Sequence, residues 1–322
     1  MAPKITFVIA ARDPNYGGDL LHRFQVTLNG ILYLATKYSL RCEILVIEWN
    51  PPSPDKTFRK LLTWGPLPDH IILRFIEVPP EIHQRFPNAD RIPIHEYIAK
   101  NVGIRRSAGE YILGTNPDLL YTDELMSFLS SDTLSRNCFY RIDRSDVGKD
   151  IRLSWPVEEQ LMFCSKNIVR VHGRDGIHAQ PHRVYDFLLK CIKALRGPER
   201  HFRKRGPFGQ IHTEASGDFF LLARQHWLSL KGYPELTTHM HIDSYICYMA
   251  ASMGLKQVIL EKPLRLYHQP HDRSSQAEFP RTDLNRLWEE GAEMLRTRKP
   301  LIINDESWGL GNDELDEYRF GS

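Results

Sequence analysis

The chain has 322 residues, 42% of them hydrophobic and 25% charged, with a formal net charge of +2. That length suits one large α/β domain or two small ones with a substantial buried core. The even charge balance excludes a nucleic-acid-binding stripe or an acidic tail, so anion binding must come from local clusters.

The five cysteines, Cys42, Cys138, Cys164, Cys191 and Cys247, are odd in number, widely spaced and without a CxxC pair. They read as reduced, mostly buried thiols in a reducing compartment. No run approaches the roughly 20 apolar residues that a membrane helix needs. Ile5 to Ile9 is too short for the apolar core of a signal peptide and runs straight into Arg12 and Asp13. A soluble, cytoplasmic protein with no transmembrane segment and no nucleic-acid partner is expected.

In chain order, Ile5 to Ala10 is the continuous apolar run of a strand buried on both faces. It ends in a loop of turn residues, Ala10 to Gly18. Leu20, Leu21, Phe24, Leu28, Ile31, Leu32, Leu34 and Ala35 then recur at helical spacing. Glu43 to Ile47 is a second buried strand, which completes a βαβ unit. Ile71 to Val78 is a third strand, stopped by Pro79-Pro80, and His83 to Asp90 is a polar, turn-prone loop.

The organising stretch runs from Lys100 to Asp118. It reads as a short helix, a turn at Gly109, a buried strand over Tyr111-Ile112-Leu113, and a polar corner, Asn116-Pro117-Asp118. Pro117 cannot donate a ladder hydrogen bond, so the strand stops and Asp118 is displayed at its end. Ligands of open α/β sheets sit at the carboxyl ends of strands, which makes Asp118 a candidate to hold a metal or a substrate. The alternative is a turn-capping Asp. Lys100, Arg105 and Arg106 on the helix are candidates to meet a diphosphate, against the ordinary case of solvated charges.

Thr122-Asp123-Glu124-Leu125 reads as a helix start and Cys138 to Ile142 as a strand. Alternating Arg141, Asp143, Arg144 and Asp146 read as a structural ion-pair network, with Arg141 or Arg144 on a substrate phosphate as the sharper alternative. From Trp155 to His212 the pattern weakens. A helix is expected over Val184 to Leu195, and Arg196 to Arg205 is strongly basic. Order returns with Ser216-Gly217-Asp218 turning into a strand, a helix ending near Gly232, and a helix opened by His241-Ile242-Asp243. Pro263 to Tyr267 is a short strand that delivers His268 and His271. Leu284 to Leu295 is a helix in a tail that either packs back on the sheet or mediates a homodimer.

Asn101-Val102-Gly103-Ile104, Gly109-Glu110-Tyr111-Ile112 and Asn116-Pro117-Asp118 together resemble the middle of a glycosyltransferase family 2 enzyme. There an Asn-x-Gly-Ile helix, a Gly-Glu-Tyr-Ile turn and strand, and an Asp-x-Asp corner follow one another. Asn116 departs from that pattern, since an amide can accept a hydrogen bond or ligate weakly but brings no charge. The later blocks, Gly217-Asp218, Gly232-Tyr233-Pro234-Glu235, Ile242-Asp243 and His268, resemble the family's second half in the same order.

The resemblance implies a GT-A fold, with a mostly parallel central sheet flanked by helices. It implies a donor-binding half over about 1–122, an acceptor half over about 123–278 with a basic insertion at about 172–212 as an acceptor lid or a plain solvated segment, and a helical tail over 279–322. It also implies a metal-dependent transfer of sugar from a UDP- or GDP-linked donor to an acceptor hydroxyl. Carried over, Ala10, Arg12 and Glu48 line the nucleotide pocket, Asn101, Arg105 and Asn116 belong to the donor site, and Gly217 and Asp218 contact the donor sugar. Asp118 with His268, or His271 in second place, holds Mn²⁺ or Mg²⁺, because mixed carboxylate and imidazole ligation suits Mn²⁺ better than Ca²⁺. Asp243 starts a helix whose dipole favours the ionised form, and it matches the family's acceptor-activating base for an inverting reaction. The alternative for Asp243 is a helix cap. A retaining transferase, a nucleotidyltransferase and a non-catalytic nucleotide-sugar-binding protein are the competing readings.

Overall fold

The computed structural model describes residues 2–174, 176–179, 211–238, 240–272 and 279–321. The helix expected over Val184 to Leu195, the basic stretch from Arg196 to Arg205, and Cys191 lie outside the described residues.

The first half runs β1 (Ile5–Ala11), α1 (Leu20–Lys37), β2 (Cys42–Trp49), α2 (Phe58–Leu61), β3 (Ile71–Val78), α3 (Pro80–His83), α4 (Glu96–Arg106), β4 (Tyr111–Thr115), β5 (Leu119–Tyr121) and α5 (Asp123–Ser130). The second half adds β6 (Cys138–Ile142), β7 (Arg144–Val147), α6 (Val157–Lys166), β8 (Ile168–Gly173), β9 (Gly176–Ala179), β10 (Phe219–Ala223), α7 (Arg224–Leu230), α8 (Ile242–Ser252), β11 (Lys256–Leu260), β12 (Leu266–His268), α9 (Leu284–Thr297) and β13 (Asp316–Phe320).

Eight strands form one sheet in the order β11-β6-β10-β4-β1-β2-β3-β13. Its centre, β4-β1-β2-β3, is parallel, as the fully apolar runs of β1 and β2 require of strands covered on both faces. The sheet as a whole is mixed but mostly parallel, since β6 and β11 also run in the direction of β4. β10 runs antiparallel between β4 and β6, and β13 runs antiparallel along β3. Phe219-Phe220-Leu221-Leu222 is equally apolar in either direction, so its sequence carried no sign of strand polarity. Helix α1 buries Phe24, Leu28 and Ile31 on one side of the sheet, while α4, α7 and α8 cover the other.

A second, five-stranded sheet has the order β5-β12-β7-β8-β9. The Arg144 to Val147 segment, read from sequence as an ion-pair network, is its central strand. Side chains alternate across a strand, so the register assigns them to faces. His268 pairs with Asp146, and Asp146 with Arg170, while Arg144 pairs with His172, and all five residues share one face. The opposite face carries Leu120, Val147 and Tyr267 into a small core with Val26, Ile151 and Cys164.

The C-terminal segment packs back rather than standing apart. Leu287 and Met294 of α9 join the core around Tyr245 and Tyr248 of α8. β13 closes the edge of the large sheet, where Arg74 bridges Glu43 at 2.5 Å and Glu317 at 2.7 Å. Among the described residues, no helix is long and apolar enough to cross a membrane.

Candidate functional site

Strand β4 ends at Thr115, and the Asn116-Pro117 corner turns the chain into β5 with Asp118 at the bend. Because Leu119 pairs with His268 across β5 and β12, Asp118 lies beside the end of β12, and Gln269 N donates to Asp118 O at 3.0 Å. This pairing gathers three ligand-bearing side chains. His268 Nε2 is 3.6 Å and His271 Nε2 is 3.3 Å from Asp118 Oδ2, and all three ligand atoms lie within 4.8 Å of one another. Donors about 2.1 Å from one cation sit about 3.0 to 3.4 Å apart at adjacent octahedral or tetrahedral positions, so the His271 to Asp118 separation matches a divalent ion and the His268 to Asp118 separation is slightly wider.

Each imidazole turns its Nε2 toward Asp118. His271 Nδ1 lies 3.0 Å from Asp272 O, which can only accept, so in the tautomer with the proton on Nδ1 the ligating atom is Nε2. His268 Nδ1 lies 3.1 Å from Asp146 Oδ1, within ion-pair reach of that carboxylate. Asp146 is in turn approached by Arg144 Nε at 2.9 Å, His172 Nε2 at 3.0 Å and Arg170 Nε at 3.4 Å. Burial alone would raise the Asp146 carboxyl. His172, His268 and the charge of Arg144 outweigh that and hold it well below the usual carboxylate range.

Arg144 carries the network onward, with Nη1 3.0 Å from Asp218 Oδ2. Asp218 Oδ1 accepts from Asn116 Nδ2 at 2.7 Å, and Asn116 Oδ1 accepts from Lys100 Nζ at 2.7 Å. The fully buried Lys100 also donates to Glu96 Oε1 at 2.7 Å and Gly217 O at 2.8 Å. Asp243 Oδ2 accepts from Ser216 Oγ at 2.7 Å and Gly217 N at 2.6 Å. A side chain at Gly217 is excluded, since its Cβ would lie 2.6 Å from the Tyr97 hydroxyl. Tyr97 is raised well above its ordinary value by burial, then by the charge of Asp243. Asn116, Gly217, Asp218 and Asp243 are thus brought together, one arginine away from the Asp118 corner.

Three expected donor-site residues are engaged elsewhere. Glu48, at the end of β2, accepts from the backbone N–H groups of Phe58 and Arg59, the latter at 3.2 Å, and so caps α2. Burial pushes its carboxyl up to about 7 despite those two bonds. Asn101 donates to Tyr233 O at 2.8 Å and Glu235 Oε1 at 3.0 Å and accepts from Tyr233 N at 2.8 Å, stapling α4 to the turn after α7. Arg105 donates to Glu306 O at 3.0 Å and Trp308 O at 2.9 Å, and Arg106 donates to Gly309 O at 2.6 Å, so both hold the C-terminal segment rather than a diphosphate. Arg141 is fully buried and donates to Phe219 O and, at 2.5 Å, to Glu214 O. Ala10 packs among Ile47 and Trp49. Arg12, just past β1, is half-buried, and its pKa is lowered by burial against the opposing charge of Asp13.

Sequence reasoning missed Tyr97 and His172 and gave Asp146 only a structural role. The period-two spacing of Arg144 and Asp146 around Ser145 was the signal that both share a face. His172 gave none, because its partner strand was not read.

No protein-family profile matches the chain, and no curated protein matches it in sequence. Among solved structures it is similar to the crystal structure of GalNAc-T7 with UDP, GalNAc and Mn²⁺, with a TM-score of 0.42 and 13% sequence identity. The match covers 84% of this chain and 44% of that one. So distant a likeness assigns no residue a role.

Proposed function

We propose that this chain is a cytoplasmic glycosyltransferase of GT-A type, moving a sugar from a nucleoside-diphosphate sugar to an acceptor hydroxyl. The observation that carries this reading is the convergence of Asp118, His268 and His271, with both Nε2 atoms turned toward the carboxylate, beside the Asn116–Asp218–Asp243 network. Asp118, His268 and His271 would hold Mn²⁺ or Mg²⁺. When bound, the ion would act as a Lewis acid that neutralises charge on the departing diphosphate.

The chain's own groups do the rest. Asp146 keeps His268 oriented toward Asp118. Arg12 and the backbone of Ala10, whose methyl packs in the core, would face the nucleotide, and Asp218 with the bare backbone of Gly217 would take the sugar hydroxyls. In an inverting reaction Asp243 receives the acceptor proton on Oδ1, since Oδ2 already accepts from Ser216 and Gly217. That same anchoring favours a second reading, in which Asp243 only shapes the sugar pocket and the reaction is retaining.

The test is thermal unfolding of the purified chain against UDP-, GDP- and TDP-sugars, with and without Mn²⁺. A metal-dependent rise with one donor class is expected, equivalent to about 2.7 kcal/mol at a hundredfold excess over Kd. No shift across the panel would contradict the reading.

A further inference from the structure

We propose that Gly17, in the loop between β1 and α1, is a positioning residue for His271, so that this loop sets the affinity of the metal corner. The inference rests on the metal site proposed above.

The loop and the ligand segment are clasped by one arginine. Arg23 is buried, and its guanidinium donates to Tyr16 O at 2.6 Å, Gly18 O at 2.8 Å and Gly17 O at 3.4 Å. Its own backbone carbonyl accepts from the Gln269 amide at 2.8 Å. Asp272 N donates to Gly17 O at 3.2 Å, and the Tyr16 ring lies 5.4 Å from the His271 ring. The two segments are therefore joined on both sides of His271.

Gly17 is the point of closest approach. Its φ of +60° favours glycine, and a Cβ there would lie 2.9 Å from His271 Nδ1 and 3.0 Å from both His271 Cβ and Asp272 O. A methyl at position 17 would intrude on the Nδ1 to Asp272 O contact that turns Nε2 toward Asp118. Gly18 supplies the control. Its φ of +75° carries the same left-handed strain, yet a Cβ there meets nothing within 4 Å.

The experiment compares the full chain with Gly17→Ala and Gly18→Ala, reading Mn²⁺ affinity from the free-ion paramagnetic resonance signal. Gly17→Ala is expected to weaken binding about tenfold or more, and Gly18→Ala to stay within about twofold. Equal affinities in the two variants, with wild type binding normally, would overturn the inference. Imidazole ¹⁵N shifts of metal-free protein give a second readout. The His271 resonances should move in Gly17→Ala and stay in Gly18→Ala, and unmoved shifts in both variants would sink the inference on their own. Absence of Mn²⁺ binding in wild type would instead remove the proposed function, and the ¹⁵N shifts would still decide whether Gly17 positions the ring.

Discussion

Glu48 and Asp118 both stand where a buried, apolar strand runs out, and as sequence they carry the same signal. The structure uses them in opposite ways. Glu48 has the unpaired N–H groups of a short helix beside it, and its oxygens are taken up by Phe58 and Arg59. Asp118 has two imidazoles beside it, each turning its Nε2 toward the carboxylate. A carboxylate at a strand end becomes available for ligands only when no backbone donor lies near enough to capture it.

The comparison breaks most visibly through a residue on the structural side. Asn101→Ala removes two buried hydrogen bonds and one part-buried one around the 232–235 turn, at about 1 kcal/mol each. A stability loss of about 3 to 4 kcal/mol in denaturant unfolding is expected, with Mn²⁺ affinity unchanged. A variant that unfolds no more easily but loses metal would return Asn101 to the site.

Glu48 sharpens the comparison through pH. Its carboxyl is raised from the ordinary 4.5 to about 7 in the fold. Below about pH 4.5 the group is protonated in both states. As pH rises toward 7 the unfolded chain releases the proton while the folded chain retains it, so stability falls. The full difference is about 3 kcal/mol, from roughly 2.5 pH units at 1.36 kcal/mol each. Glu48→Gln lacks this titration, so the stability advantage of wild type over the variant should shrink by about that amount between pH 5 and pH 8. A difference that stays constant with pH would mean that Glu48 is ionised throughout, as a ligand-facing carboxylate would be.

Much of this was legible in the sequence, and the residues show why. The runs at β1, β2, β3, β4 and β6 are long enough, or apolar enough, for their period to be unmistakable, and Thr122 caps α5 as its sequence signature predicts. Strands β7 and β8 carry polar residues on an ion-paired face and β5 and β9 are only three and four residues long, so none of the four shows a clear strand period. The Asp118, His268 and His271 corner was visible because each residue follows a strand that could be read. The engagement of Asn101 with residues 233–235, and of Arg105 with residues 306–308, was not visible, because the partners, mostly backbone groups, are distant in the chain and a helix sequence does not reveal what packs against it.

The most direct test of the central claim is a Mn²⁺ titration followed by paramagnetic resonance on wild type, Asp118→Asn and Glu48→Gln. The account predicts one ion per wild-type chain, affinity lower by about 100-fold in Asp118→Asn, and unchanged affinity in Glu48→Gln. Equal binding by wild type and Asp118→Asn would contradict it.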